Sequence, residues 1–158
     1  MLVVANSSPF IALERIGYLH LLSALAEKVR IPPAVRREVF GSEPLPAWVE
    51  EVSLQQPLAP LMAAMRLGPG EREAIALAVE LGADEIILDD LSARRMATSL
   101  GIPVIGTLGL LLRAKKRGLV REVRPLIKAL QSQGFRISER VLSGILAAAG
   151  EETREEVR

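Results

Sequence analysis

Asp89 and Asp90 directly follow the short apolar run "EIIL", which places two carboxylates at a strand's carboxyl end and a helix's start. Asn6 holds the equivalent place after the first such run, "LVVA". Glu71 heads a helical stretch just behind Gly70, and Glu38 lies in the first turns of the helix that follows a second strand. In an open parallel sheet all of these places fall along one edge, where ligands bind in a crevice. Each acid alone has an ordinary explanation. A carboxylate at a helix N-terminus is stabilised by about 0.3–1 kcal/mol through the macrodipole, Asp90 is a possible helix cap, and Glu38 is a possible solvated charge beside Arg36 and Arg37. Convergence is harder to explain that way. Crowded carboxylates repel and raise one another's pKa unless a cation neutralises them. With no cysteine and one histidine, His20, the cation that suits such a site is a hard one, Mg²⁺ or Mn²⁺, held by oxygens.

The elements that must position these residues are readable from apolar spacing. "SPFIALERIG" reads as a helix with Ser8 as N-cap and Pro9 at its first position. "YLHLLSALAEK" is a second helix, "VRIP" a strand, and "PAVRREVF" a helix led by Pro33. Residues 41–68 form a proline-containing excursion that carries the only tryptophan, Trp48, with a short helix near "PLMAAMRL". Then come a helix over "GPGEREAIALAVELG", the strand "EIIL", a helix from "DDLSARRMATSLG", the strand "IPVIG" and a helix over "TLGLLLRAKKRGL". "RPLIKALQSQG" and "SERVLSGILAAAG" close the chain as helices, the second capped by Ser138. The alternation predicts an α/β fold, a mainly parallel central sheet covered on both faces. One domain over residues 1–150 and a charged, frayed tail over 151–158 are expected. At about 100° per residue, Glu71 shares a helix face with Ala74, Ile75 and Ala78, and Glu73 shares one with Leu77 and Glu80. Glu71 is therefore expected to point inward and Glu73 towards solvent.

Composition removes other classes. Of 158 residues, 49% are hydrophobic and 25% charged, which is ordinary for a globular domain. The net charge of +1 supplies no global field for nucleic acid, so binding needs a local basic patch. Arg94, Arg95, Arg113, Lys115, Lys116 and Arg117 are candidates for phosphate contacts, and "RAKKRG" equally suits a solvated helix end. Aromatic residues are 3%, which disfavours broad stacking platforms. No segment has the roughly 18 apolar residues of a membrane span, and the N-terminus carries no signal-peptide pattern. A cytoplasmic protein is expected. Apolar stripes in the last two helices are consistent with a homodimer. A phosphate-binding loop at "GPGE" is disfavoured, because Glu71 would face the phosphate and no phosphate-loop consensus is present.

Together "VVANSSPFIALERIG", "IPPAVRREV", "GPGEREAIALAVELGADEIILDD" and "IPVIGTLGLLLRAKKRGL" resemble the PIN-domain superfamily, and more narrowly its prokaryotic PIN-like predicted nucleic-acid-binding proteins and VapC-type toxin ribonucleases. The resemblance implies a three-layer α/β/α sandwich and a Mg²⁺- or Mn²⁺-dependent ribonuclease acting on RNA, with an antitoxin protein as a possible partner. It implies metal ligands at Asn6, Glu38, Glu71 and Asp89 or Asp90, catalytic roles for Glu38, Glu71, Asp89 and Asp90, and Ser7, Arg94, Lys115 and Lys116 near substrate. Asn6 departs from the pattern, since most active members carry Asp there. An amide oxygen can ligate a hard cation but brings no charge. The rival reading is a PIN-like binding module for nucleic acid or protein with a weakened metal site.

Overall fold

In a computed structural model, which describes residues 1–57 and 66–152, the strands are three residues long or shorter and pair only in parallel. They are β1 (Val3–Ala5), β2 (Val29–Ile31), β3 (Val49–Glu51), β4 (Glu85–Ile87) and β5 (Val104–Ile105), ordered β3-β2-β1-β4-β5 across the sheet. The helices are α1 (Ser7–Arg15), α2 (His20–Ala26), α3 (Pro33–Phe40), α4 (Pro69–Leu81), α5 (Leu91–Ser99), α6 (Thr107–Lys116), α7 (Arg124–Ser132) and α8 (Glu139–Ala149).

Alternation along the strands builds two cores, because successive side chains leave opposite faces of a strand. Val3, Ala5 and Ile87 join Phe10, Leu22, Leu111 and Leu130 on one face, beneath α1, α2, α6 and α7. Val4, Ile86 and Leu88 join Ile75, Leu77 and Ala97 on the other, beneath α4 and α5. The result is the three-layer sandwich expected from the sequence. The order of the sheet reverses between β1 and β4, and the carboxyl ends of those two strands open the crevice.

Several expectations are corrected. Helix α1 begins at Ser7, with Asn6 in the cap position and no side-chain capping bond, so neither Ser8 nor Pro9 has the role the sequence suggested. Pro9 is tolerated as the third helical residue because the first N–H groups of a helix have no partner within it. Strand β3 lies inside the segment read as a loop-rich excursion. The short helix expected near "PLMAAMRL" falls mostly outside the described residues, as does most of the charged tail. Leu77 is fully buried rather than near solvent, because α4 buries Ala74, Ile75, Leu77 and Ala78 together. Ser138 caps α8 as expected, accepting from the Val141 N–H. Among the described residues, no helix is long and apolar enough to cross a membrane.

Candidate active site at the sheet's carboxyl edge

Asn6 follows β1 and is held by its backbone, whose N–H donates to the Ile87 carbonyl at 3.1 Å. This tie to β4 fixes the amide at the point where the strand order reverses. The side chain is 3% exposed, and among the described residues its Oδ1 has no hydrogen-bond partner. A buried acceptor left unsatisfied costs about 1–3 kcal/mol. Next to it, buried Ser7 donates from Oγ to Glu38 Oε2 at 2.8 Å, which pulls the otherwise exposed Glu38 carboxylate to the head of α1. Gly70 closes this corner. A Cβ there would lie 2.8 Å from Asn6 Oδ1, 3.4 Å from Glu38 Oε2 and 3.6 Å from Ser7 Oγ. Only the hydrogen at that position leaves room among the three oxygens.

Asp89 meets the first turn of α1 at Ser8 and is held by three donors. Ser8 Oγ and Thr107 Oγ1 donate to Oδ2 at 2.7 and 2.6 Å, and the Thr107 N–H donates to Oδ1 at 2.7 Å. The carboxylate thus ties together the helix starts that follow β1 and β5. Asp90 is engaged differently. It is exposed, and its Oδ2 caps α5 by accepting from the Ala93 N–H at 2.9 Å. Glu71 turns back over the start of its own helix, where a Cβ on Gly68 would lie 2.5 Å from its Oε2. Glu73 is half-buried and reaches the Ala34 N–H at 3.4 Å, so it is less solvent-facing than the helical wheel suggested.

Two cavities of about 480 and 800 Å³ flank this row of oxygens. Both are bordered by Ser8, Glu71 and Phe135, so they are two chambers of one crevice. Asn6, Ser7 and Glu38 face the smaller; Asp89, Asp90 and Arg94 face the larger.

A family model described as a PIN domain matches residues 2–151, nearly the whole chain. The chain belongs to the PIN domain family. Comparison with curated proteins and with solved structures returns no match. PIN domains are nuclease-type modules, generally dependent on divalent metal.

The donor set of this PIN domain meets that dependence only in one corner. Among the described residues no group of three or more His, Asp or Glu side chains gathers as a metal cluster. The fit is therefore local. Asn6 Oδ1, Ser7 Oγ and Glu38 Oε2 form an all-oxygen corner around Gly70, and the unsatisfied Asn6 acceptor is the kind of group a hard cation would complete. Asp89 is already engaged by its three donors.

The basic residues divide in the same way. Arg94 lies in the crevice and donates from Nη1 to the Leu88 carbonyl at 3.2 Å. Lys115 and Lys116 do not reach it. They end α6, whose ten residues carry them about 15 Å from its start at Thr107. Lys115 Nζ is bound there to the Ala149 carbonyl at 2.5 Å and to Glu151 at 2.9 Å. Arg113 is paired at both nitrogens with Glu85, at 2.7 and 2.8 Å, and this contact raises its pKa above the ordinary value. Arg15 and Arg136, which the sequence reading passed over, border the smaller and the larger cavity. Thr107 was missed as well. Thr107 opens α6 after β5 and Gly106 as Ser7 opens α1 after β1 and Asn6, and that parallel was the available signal.

Proposed function

We propose that this PIN domain is a metal-dependent endoribonuclease whose reaction takes place in the crevice at the carboxyl ends of β1 and β4. The observation that supports it most is the buried, unsatisfied Asn6 Oδ1 beside Glu38 Oε2. A divalent cation bound there, Mg²⁺ or Mn²⁺, would supply positive charge beside the scissile phosphate and would lower the pKa of a bound water. Asn6 and Glu38 would hold it; Glu71, which borders both chambers, and Asp89 and Asp90, which border the larger, are the remaining acids of the crevice. Ser7 orients Glu38 through its hydroxyl. Ser8 and Thr107 keep Asp89 as an acceptor facing the larger cavity. Arg94, with Arg15 and Arg136, supplies positive charge for phosphates of an RNA strand.

A toxin role, an antitoxin partner and a cytoplasmic location belong to this reading and rest on the resemblance and composition. A homodimer formed through the apolar stripes of α7 and α8 belongs to this reading too. The neutral Asn6 and the absence of a three-acid group among the described residues favour a second reading, a PIN-like binding module with a weak metal site.

The experiment is cleavage of a mixed-sequence RNA in Mn²⁺ by wild type, Glu38→Ala and Asp90→Ala. Wild type is expected to cut, Glu38→Ala to cut at least about tenfold more slowly, and Asp90→Ala to keep activity while losing about 0.5–2 kcal/mol of stability from its cap. Retained Mn²⁺ binding by calorimetry without any cutting selects the binding module.

A further inference from the structure

We propose that the smaller cavity is a subsite for one nucleobase of the RNA strand, with the Phe135 ring as its stacking wall and the Gln133 amide reading the base edge. The proposal deepens the ribonuclease reading and depends on it.

Helix α7 ends in a turn that brings these residues to the crevice. Gly134 takes a left-handed φ of +90°, and the Phe135 N–H then donates to the Leu130 carbonyl at 2.9 Å. In this kind of helix ending, the residue after the glycine commonly packs on the helix's last turn. Phe135 does more than that. It stays half-buried and borders both cavities, beside Ser8 and Glu71. The other aromatic side chains are placed elsewhere. Phe10 meets Phe40 and Trp48 in the core, and Tyr18 lies against His20. Phe135 is thus the aromatic residue that borders either chamber.

The smaller chamber has the chemistry of a base pocket beside a phosphate site. Its volume, about 480 Å³, falls within the range of small-molecule sites, about 300–1,000 Å³. Ile11, Ala12 and Leu130 give it apolar walls, Gln133 an amide that can both donate and accept, and Arg15 a cation. Its inner end is the Asn6–Glu38 corner, so a base seated here is attached to the phosphodiester nearest the acids. The larger chamber beyond Phe135, with Arg94 and Arg136, receives the strand's continuation.

The test is fluorescence anisotropy of labelled decamers of U, A, C and G with wild type, Phe135→Leu, Phe135→Tyr and Gln133→Ala, in Ca²⁺. Leucine keeps the apolar contact with α7 and loses the aromatic face; Gln133 is exposed, so its truncation does not threaten folding. Phe135→Leu is expected to weaken binding about 5- to 150-fold, Phe135→Tyr to restore it, and Gln133→Ala to level the preference among the four decamers. Binding and preference unchanged within twofold in Phe135→Leu and Gln133→Ala would overturn the subsite. If wild type still cuts mixed RNA in that case, the ribonuclease reading stands and the subsite alone fails. If wild type neither binds nor cuts, both fall.

Discussion

Thr107 holds Asp89 through both of its donors, the backbone N–H to Oδ1 at 2.7 Å and the hydroxyl to Oδ2 at 2.6 Å. Thr107 is fully buried, and it links the start of α6 to the end of β4 across 18 residues of sequence. Thr107→Val keeps the shape and the backbone bond but removes the hydroxyl donor. A hydrogen bond to a charged group contributes about 1.5–3 kcal/mol. The variant is expected to unfold at a lower temperature by an amount of that order, with slower RNA cleavage because Asp89 is less firmly placed. Thermal unfolding followed by circular dichroism checks the first part. An unchanged midpoint would show that the tie carries no stability.

Gly70→Ala probes the other corner. The backbone there is helical, so alanine is allowed and gains about 0.5–1 kcal/mol over glycine in a helix. Its Cβ would however stand 2.8 Å from Asn6 Oδ1, and the buried amide must give way. The apo midpoint is expected within about 4 °C of wild type. A wild-type domain at a hundredfold excess of Mn²⁺ over its Kd gains about 2.7 kcal/mol, and in Gly70→Ala that gain should disappear. Differential scanning calorimetry with and without Mn²⁺ measures both, and an undiminished Mn²⁺ shift would move the metal away from this corner.

The layers of the fold were legible because short apolar runs alternate with helical ones and end on turn residues. Strand β3 was not, and the reason is local. Only Val49 of its three residues is buried, and Glu50 and Glu51 give an edge strand the look of a loop. At the site, positions after strands were legible as an edge of the sheet. Partners across that edge were not. Nothing local in "LDD" tells Asp89 from Asp90, and the difference comes from Ser8 and Thr107, 81 and 18 residues away. Phe135 reaches the crevice only through the turn at Gly134, which the sequence shows merely as a helix end.

Glu151 gives a pH-dependent expectation. Its side chain is 9% exposed, and burial alone would raise its pKa. The N–H groups of Val123 and Arg124, together with Lys115, outweigh burial and hold the carboxyl below its ordinary 4.5. A carboxyl depressed in the folded state stabilises the fold fully above its unfolded value and ceases to do so as pH falls through its folded value. Glu151→Gln is therefore expected to cost about 1.5–3 kcal/mol at pH 7, and the gap to wild type should close as pH drops below 4.5. Urea unfolding across pH 3–7 measures it, and a gap independent of pH would contradict the assignment.

The most direct measurement is the rate of RNA cleavage by wild type and Asn6→Asp side by side over a Mn²⁺ titration. Aspartate adds a charge beside Glu38 Oε2 at a position that already presents an unpartnered oxygen. The expected result is slow Mn²⁺-dependent cutting by wild type, and faster cutting by Asn6→Asp that saturates at lower Mn²⁺. Cutting by neither protein at any Mn²⁺ concentration, with no tighter Mn²⁺ binding by Asn6→Asp, would contradict a metal-dependent ribonuclease centred on Asn6 and Glu38.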